Sequence, residues 1–249
     1  MLQAALNGDL TKAAHPAVPL SVEELVRDAV ACVRAGARGF HIHPRDSEGH
    51  ERLDAEVVDH VVRQVRDACG VPVGVSTGAW IEPDVDRRAR LVRAWRAPDY
   101  TTVNVSEDGA KEVMQALIHA GVGIEAGVWT VEDAERLASF GLGDRLLRIC
   151  VEPGMLQIGG AELAPDARGD RAIAFTEDIH RALDRLGQNA PRLQHGDGEV
   201  TWVLLEDAVR RGIDTRVGLE DTQYEPNGEQ TAGNEALVRA ARRLRAGDD

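Results

Sequence analysis

His41 and His43 in "RGFHIHPRD" (38 to 46) stand one residue apart inside an apolar run. In an extended chain alternate side chains share a face, so both imidazoles point one way while Phe40 and Ile42 point the other. Two imidazoles aimed at one spot either share a metal ion or are separate polar groups that the core must satisfy individually. Near the other end, "TRVGLED" (215 to 221) puts Arg216, Gly218 and Glu220 on one face, with Asp221 turned out of register beside them. Two imidazoles and one carboxylate make a three-ligand site with open positions, the pattern of a catalytic zinc or similar divalent ion. Such an ion acts as a Lewis acid on a bound carbonyl. Without an ion, each histidine would be satisfied by a backbone carbonyl or a neighbouring carboxylate. Arg216 would either grip a substrate carboxylate through two N–H groups or pair with Glu220 and Asp221 as structure, and Asp221 is placed to act as a base.

Short β-branched runs alternate with longer segments of helical period in eight pairs. The strands read 2 to 6, 39 to 43, 71 to 76, 100 to 105, 122 to 128, 146 to 152, 192 to 196 and 215 to 220. Between them, "SVEELVRDAVACVRAG" carries Ser21 three residues before Glu24, as in a capping box, and Gly36 at its end. Strands each followed by a helix imply parallel pairing, and eight repeats imply closure into a (β/α)8 TIM barrel. Chemistry in such barrels sits at the carboxyl ends of the strands. This chain places Asn7 and Asp9, His41 and His43, Ser76 and Thr77, Asn104, Glu125, Glu152, His195, and Glu220 and Asp221 there, strand by strand. Strands eight, one and two are consecutive around a closed barrel, so Glu220 faces the two histidines across the first strand. Asn7 and Thr77 are candidates for substrate contact on this rim. Residues 153 to 170 read as a long loop after strand six, of the kind that often forms a lid or binding loop.

Composition narrows the function. The chain of 249 residues suits a single domain spanning 1–249. Forty-two acidic residues against 29 basic ones, net −13, oppose binding to nucleic acid. No apolar run is long enough to span a membrane, and the first residues lack a signal-peptide pattern, so the expected location is cytoplasmic. Cys32, Cys69 and Cys150 are too far apart for a zinc knuckle and read as core residues. The only lysines, Lys12 and Lys111, lie off the strands, which disfavours a Schiff-base aldolase. No G-x-G-x-x-G or P-loop supports a nucleotide reading. His15, His50, His60, His119 and His180 are expected at the surface, with His195 equally suited to pocket or structure. The arginine-rich stretches 87 to 96 and 239 to 245 are expected to be solvated.

Four segments, "ALNGDLTK", "AGARGFHIHPRD", "VSTG" and "RVGLEDTQYEPNGEQTAGNEALV", occur in an order that resembles the β-keto acid cleavage enzymes along the whole chain. The resemblance implies a zinc-binding barrel that converts a β-keto acid and acetyl-CoA into acetoacetate and a new acyl-CoA. It assigns the zinc to His41, His43 and Glu220. Substrate orientation and deprotonation fall to Arg216 and Asp221, with Ser76 and Glu125 lining the pocket. Asp9 stands near the family's acid for a substrate ammonium, and Asn104 matches a substrate-contacting residue on strand four. Relatives tend to form homo-oligomers. Strand seven departs, reading "LQHGDGEVTW" where many members carry Gly-x-Gly-Arg. Two other readings stay open: a metal-dependent lyase or aldolase working without CoA, and a non-catalytic barrel that binds a small acid.

Overall fold

The computed structural model describes residues 1–154, 156–159 and 163–246, apart from the side chains of residues 165 and 166. Eight parallel strands close into a barrel in sequence order. They are β1 (Leu2–Ala5), β2 (Gly39–Ile42), β3 (Val73–Ser76), β4 (Tyr100–Asn104), β5 (Gly123–Val128), β6 (Arg148–Val151), β7 (Arg192–Gln194) and β8 (Asp214–Val217). The helices between them are α1 (Val22–Ala35), α2 (Ala55–Cys69), α3 (Val85–Arg93), α4 (Ala110–Ala120), α5 (Val131–Phe140), α6 (Pro165–Arg185), α7 (Thr201–Arg211) and α8 (Asn234–Ala246). The fold is a TIM barrel, as the alternating pattern requires. Among the described residues no helix is long and apolar enough to cross a membrane.

Local chemistry starts and stops these elements. Ser21 accepts from the Glu24 backbone while the Glu24 carboxylate accepts from Ser21, so the capping box at α1 is complete, and Gly36 ends the helix in a positive-φ conformation. Outward strand positions such as Phe40, Ile42, Val103 and Ile124 are fully buried against the helices. That layer is the apolar core. The inward positions of β2, β4, β5, β6 and β8 are largely polar instead, and they stack by depth. At the bottom, Gln3 donates to the Tyr100 hydroxyl at 2.8 Å, and the Arg148 guanidinium lies 4.8 Å from the Tyr100 ring. Glu125 pairs with Arg148 just above them, and His41, Thr102 and Arg216 stand higher, beneath the mouth.

Six of the strands end one to three residues earlier than their apolar runs, while β3 and β5 end where expected. His43, Glu152, His195 and Glu220 therefore sit on the first residues of the loops, where backbone direction changes and side chains are free to converge. Helix α6 begins at Pro165, inside the segment expected to be a loop; Met155, Gly160, Ala161 and Glu162 of that segment lie outside the described residues, as do 247–249. Three further expectations are corrected by burial. His15 is 3% exposed and its Nε2 meets the Thr231 carbonyl, because the loop after β1 folds back against the loop before α8. His180 on α6 packs inward against Gln194 at 2.7 Å. Arg88 on α3 is buried and donates to the carbonyls of Glu82 and Asp108, tying two loops together.

Candidate active site

β1 pairs with both β2 and β8, in a register that sets Ala5 beside His41 and Ala4 beside Val217. Small residues on the intervening strand leave room above it. His41 Nε2 and His43 Nε2 stand 3.2 Å apart, and Glu220 Oε1 lies 3.7 Å from each. Both rings are almost fully buried. Each is held from behind: Glu51 Oε1 lies 2.5 Å from His43 Nδ1, and Thr102 Oγ1 lies 3.3 Å from His41 Nδ1. Gly8 holds the turn beneath Glu220. Its φ of +51° is a left-handed conformation, and a Cβ there would stand 2.7 Å from Glu220 Cγ.

Charge is arranged tightly around this cluster. Burial pulls the His41 imidazole down to about 3, with Arg216 adding to the effect and Glu220 opposing it. Burial also acts against charge on His43, yet Glu220 and Glu51 outweigh it and raise that ring to about 9. Glu220 is itself driven up by burial, but Arg216 and the two imidazoles hold its carboxyl well below the usual range. Arg216 donates from Nη2 to Glu220 Oε1 at 2.8 Å and to Asp221 Oδ1 at 2.6 Å, and from Nε to Asp221 Oδ1 at 3.1 Å. The fork closes on both carboxylates. Burial raises Asp221 even so, because the arginine offsets only part of its desolvation.

A cavity of about 330 Å³ opens over the cluster, lined by His41, His43, Ser76, Thr102, Asn104, Arg216, Glu220 and Asp221 together with Trp80, Trp129, Glu152, Gln157, His195 and Asp197. Of the residues singled out in the sequence, this brings together the three candidate ligands, Arg216, Asp221, Ser76 and Asn104. Four others are elsewhere. Glu125 is wholly buried one layer below, paired with Arg148 and accepting from Thr102 Oγ1 at 2.8 Å. Asn7 spends both amide atoms on the His43 backbone, at 3.0 and 2.9 Å. Thr77 donates to the Thr102 carbonyl at 2.8 Å. Asp9 lies past the Gly8 turn and is exposed. These four do not line the cavity, so the expectation that Glu125, Asn7, Thr77 and Asp9 face it is corrected.

Several cavity residues carried no sequence signal of their own. Trp80 and Trp129 follow β3 and β5; Trp80 stacks 6.2 Å from the His43 ring and donates to Glu51, and Trp129 donates to Glu152 at 2.9 Å. His195 resolves into the pocket: its Nε2 is 2.8 Å from Glu152 Oε2 and its Nδ1 is 3.5 Å from Asp221 Oδ1. Glu152 and His195 stood in the list of strand ends, but their pairing across β6 and β7 depends on register, which spacing alone does not fix. Cys150 sits beside that pair, forming a second group of possible ligand atoms, but Glu152 accepts from His195 and Cys150 so that each is already partnered.

A sequence model of the beta-keto acid cleavage enzyme family matches residues 1–247. The 3-keto-5-aminohexanoate cleavage enzyme of Fusobacterium nucleatum subsp. nucleatum is 26% identical over 264 aligned residues, covering 98% of this chain and 90% of that protein. The enzyme of the same name from Acetoanaerobium sticklandii is 36% identical over 70 residues, covering 28% of this chain and 26% of that protein. Among solved structures, ObcA in a ternary complex with a C4-CoA adduct and oxalate superposes with a TM-score of 0.73 at 18% identity, and ObcA with oxaloacetate with 0.74 at 19%. Each alignment covers 93% of this chain, which spans 64% of the length of ObcA. At such identity these two matches speak to the fold.

Proposed function

The chain belongs to the β-keto acid cleavage enzyme family, and from that premise we propose that it is a zinc-dependent acyltransferase that condenses a β-keto acid with acetyl-CoA, releasing acetoacetate and a new acyl-CoA. The observation that carries the reading is the convergence of His41, His43 and Glu220 beside the Arg216 and Asp221 pair. ObcA was solved with oxaloacetate and with a CoA adduct, which supports a keto acid and a CoA thioester as partners here.

The three donors fit a divalent ion. A tetrahedral ion with bonds of about 2.0 to 2.2 Å separates its donor atoms by roughly 3.3 to 3.6 Å, and the observed separations of 3.2 and 3.7 Å bracket that range. Glu220 Oε2 is buried with no hydrogen-bond partner among the described residues, an orphaned acceptor that a cation would satisfy. Glu51 and Thr102 support the rings from outside, as metal-binding histidines require. When bound, such an ion supplies Lewis acidity toward a substrate carbonyl and so acidifies the adjacent carbon.

The protein's own groups do the rest. Asp221, raised by burial, is the base that takes a proton from the carbon between carbonyl and carboxylate. Arg216 orients the substrate carboxylate and holds Asp221 in place, while Ser76 and Asn104 present polar groups to the remainder of the substrate. The carbon nucleophile attacks the acetyl carbonyl and the acetyl C–S bond breaks, releasing CoA thiolate. The thiolate then attacks the original carbonyl carbon, the bond from that carbon to the deprotonated one breaks, the acyl group stays on CoA sulfur, and the acetoacetate carbanion takes back the proton held by Asp221. The tryptophans narrow the mouth around these steps. We further propose that one barrel domain, as a cytoplasmic homo-oligomer, works on small molecules and on neither nucleic acid nor membrane. Incubation with a panel of β-keto acids and acetyl-CoA tests the reading: acetoacetate should form with at least one acid and only with the thioester present. Cleavage without CoA would instead identify a lyase, and no turnover across a broad panel would remove the reading.

A further inference from the structure

Thr102 stands in register with Glu125 on β5 and with Ser76 on β3, pointing into the barrel under the histidine pair. Its hydroxyl has two neighbours. Glu125 Oε1 is 2.8 Å away and His41 Nδ1 is 3.3 Å away. A threonine hydroxyl owns one proton, and a carboxylate only accepts. Glu125 is wholly buried, with its other oxygen taken by Arg148, so the hydroxyl proton is the donor that completes Oε1. The proton therefore points at Glu125, and what Thr102 offers His41 is a lone pair.

We propose that Thr102, backed by the Glu125 carboxylate, fixes His41 in the tautomer that carries its proton on Nδ1, leaving the Nε2 lone pair aimed at the ligand cluster; in its consequence for metal this rests on the metal-binding reading above. The opposite tautomer would put the ring proton on Nε2, facing His43 Nε2 at 3.2 Å, and would ask Thr102 to donate to two acceptors with one proton. His43 is set by the same logic through Glu51, a carboxylate 2.5 Å from its Nδ1. The His41 Nε2 lone pair then faces His43 Nε2 at 3.2 Å, as an acceptor that a ring proton of His43 or a shared cation can occupy. Thr102 and Glu125 are positioning residues in this account. They act through His41, and Arg148 acts one step further back by balancing the charge of Glu125.

The test compares wild type with Thr102→Val, which keeps shape and removes the hydroxyl, and Thr102→Ser, which restores it. Folding of each is first checked by near-UV circular dichroism. In metal-free protein, ring-nitrogen NMR should show His41 protonated on Nδ1 in wild type and in Thr102→Ser, with the peak assigned by its loss in His41→Gln. In Thr102→Val the tautomer should become mixed. Zinc affinity, measured by competition with a chromophoric chelator, should fall about 10- to 100-fold in Thr102→Val and stay within about threefold in Thr102→Ser. A wild-type His41 protonated on Nε2, or a Thr102→Val protein with unchanged tautomer, overturns the proposal. If the tautomer follows the hydroxyl but wild type binds no zinc, the positioning by Thr102 stands and the metal reading falls.

Discussion

Arg216 grips Asp221 through two nitrogens, Nε at 3.1 Å and Nη2 at 2.6 Å, and the same Nη2 reaches Glu220 at 2.8 Å. One planar fork thus holds the proposed base, Asp221, and the proposed metal ligand, Glu220, in a single geometry. Lysine carries the charge but has no fork. Arg216→Lys should therefore keep the fold while lowering kcat/KM by at least about 10²-fold. Arg216→Ala, which strands the buried Asp221 carboxylate and the partly buried Glu220, should cost about 3 to 5 kcal/mol of stability. Steady-state kinetics and chemical denaturation separate these outcomes, and a lysine variant with full activity would remove the positioning role.

Metal dependence is tested by stripping. Dialysis against a strong chelator should abolish turnover, and one equivalent of zinc per chain should restore it. Glu220→Gln keeps the size of the side chain but removes the charge that balances the ion, so metal content after purification should drop well below one per chain. Full activity with no metal detectable by elemental analysis would contradict the arrangement.

Asp28 gives a pH signature away from the site. Burial raises this α1 carboxyl to about 6, against the hydrogen bond from Asn234, with Glu235 adding to the rise. A folded-state value above the unfolded 3.8 means that the folded chain binds the proton more tightly. The stabilising contribution is complete below about pH 4 and is lost as pH rises through about 6. Asn234 donates to Asp28 at 2.6 Å, a bond that asparagine would also accept. Asp28→Asn should thus be more stable than wild type at pH 8, on the order of 1 to 3 kcal/mol, with the gap closing toward pH 5. Urea midpoints at the two pH values decide it.

Gly8 links backbone conformation to the Glu220 carboxylate above it. With φ at +51° and Glu220 packed where a Cβ would go, Gly8→Ala should destabilise the chain by about 1 kcal/mol or more. Because Glu220 must move to make room, zinc affinity should weaken as well. Wild-type values for both by calorimetry would mean that the turn relaxes freely.

Much of this was readable in the amino acids. Period-two alternation around His41 and His43, the R-x-G-L-E-D stretch and eight strand-helix pairs sufficed for the barrel and for the meeting of Glu220 with the two rings. What escaped depends on depth and on register. Glu125 does point inward as the alternation says, but one layer too low to reach the cavity, where Arg148 claims it. Asp9 follows a left-handed glycine that turns it out to solvent, a direction no spacing rule carries. Thr102 and the Glu152 to His195 pair matter through partners 61 and 43 residues away, which only the sheet brings together, while Glu51 returns to His43 through a local turn closed by the Arg45 to Glu51 bridge. His15 and His180 look like surface residues until tertiary packing covers them.

The seam between β1 and β8 has a temporal meaning. While the chain is being synthesised, His41 and His43 emerge long before Glu220, so a nascent polypeptide on the ribosome has two imidazoles and no carboxylate to close the chelate. On the proposed metal reading, high-affinity capture of an ion must await docking of the final strand, and the metal would then stabilise only chains that have completed their fold.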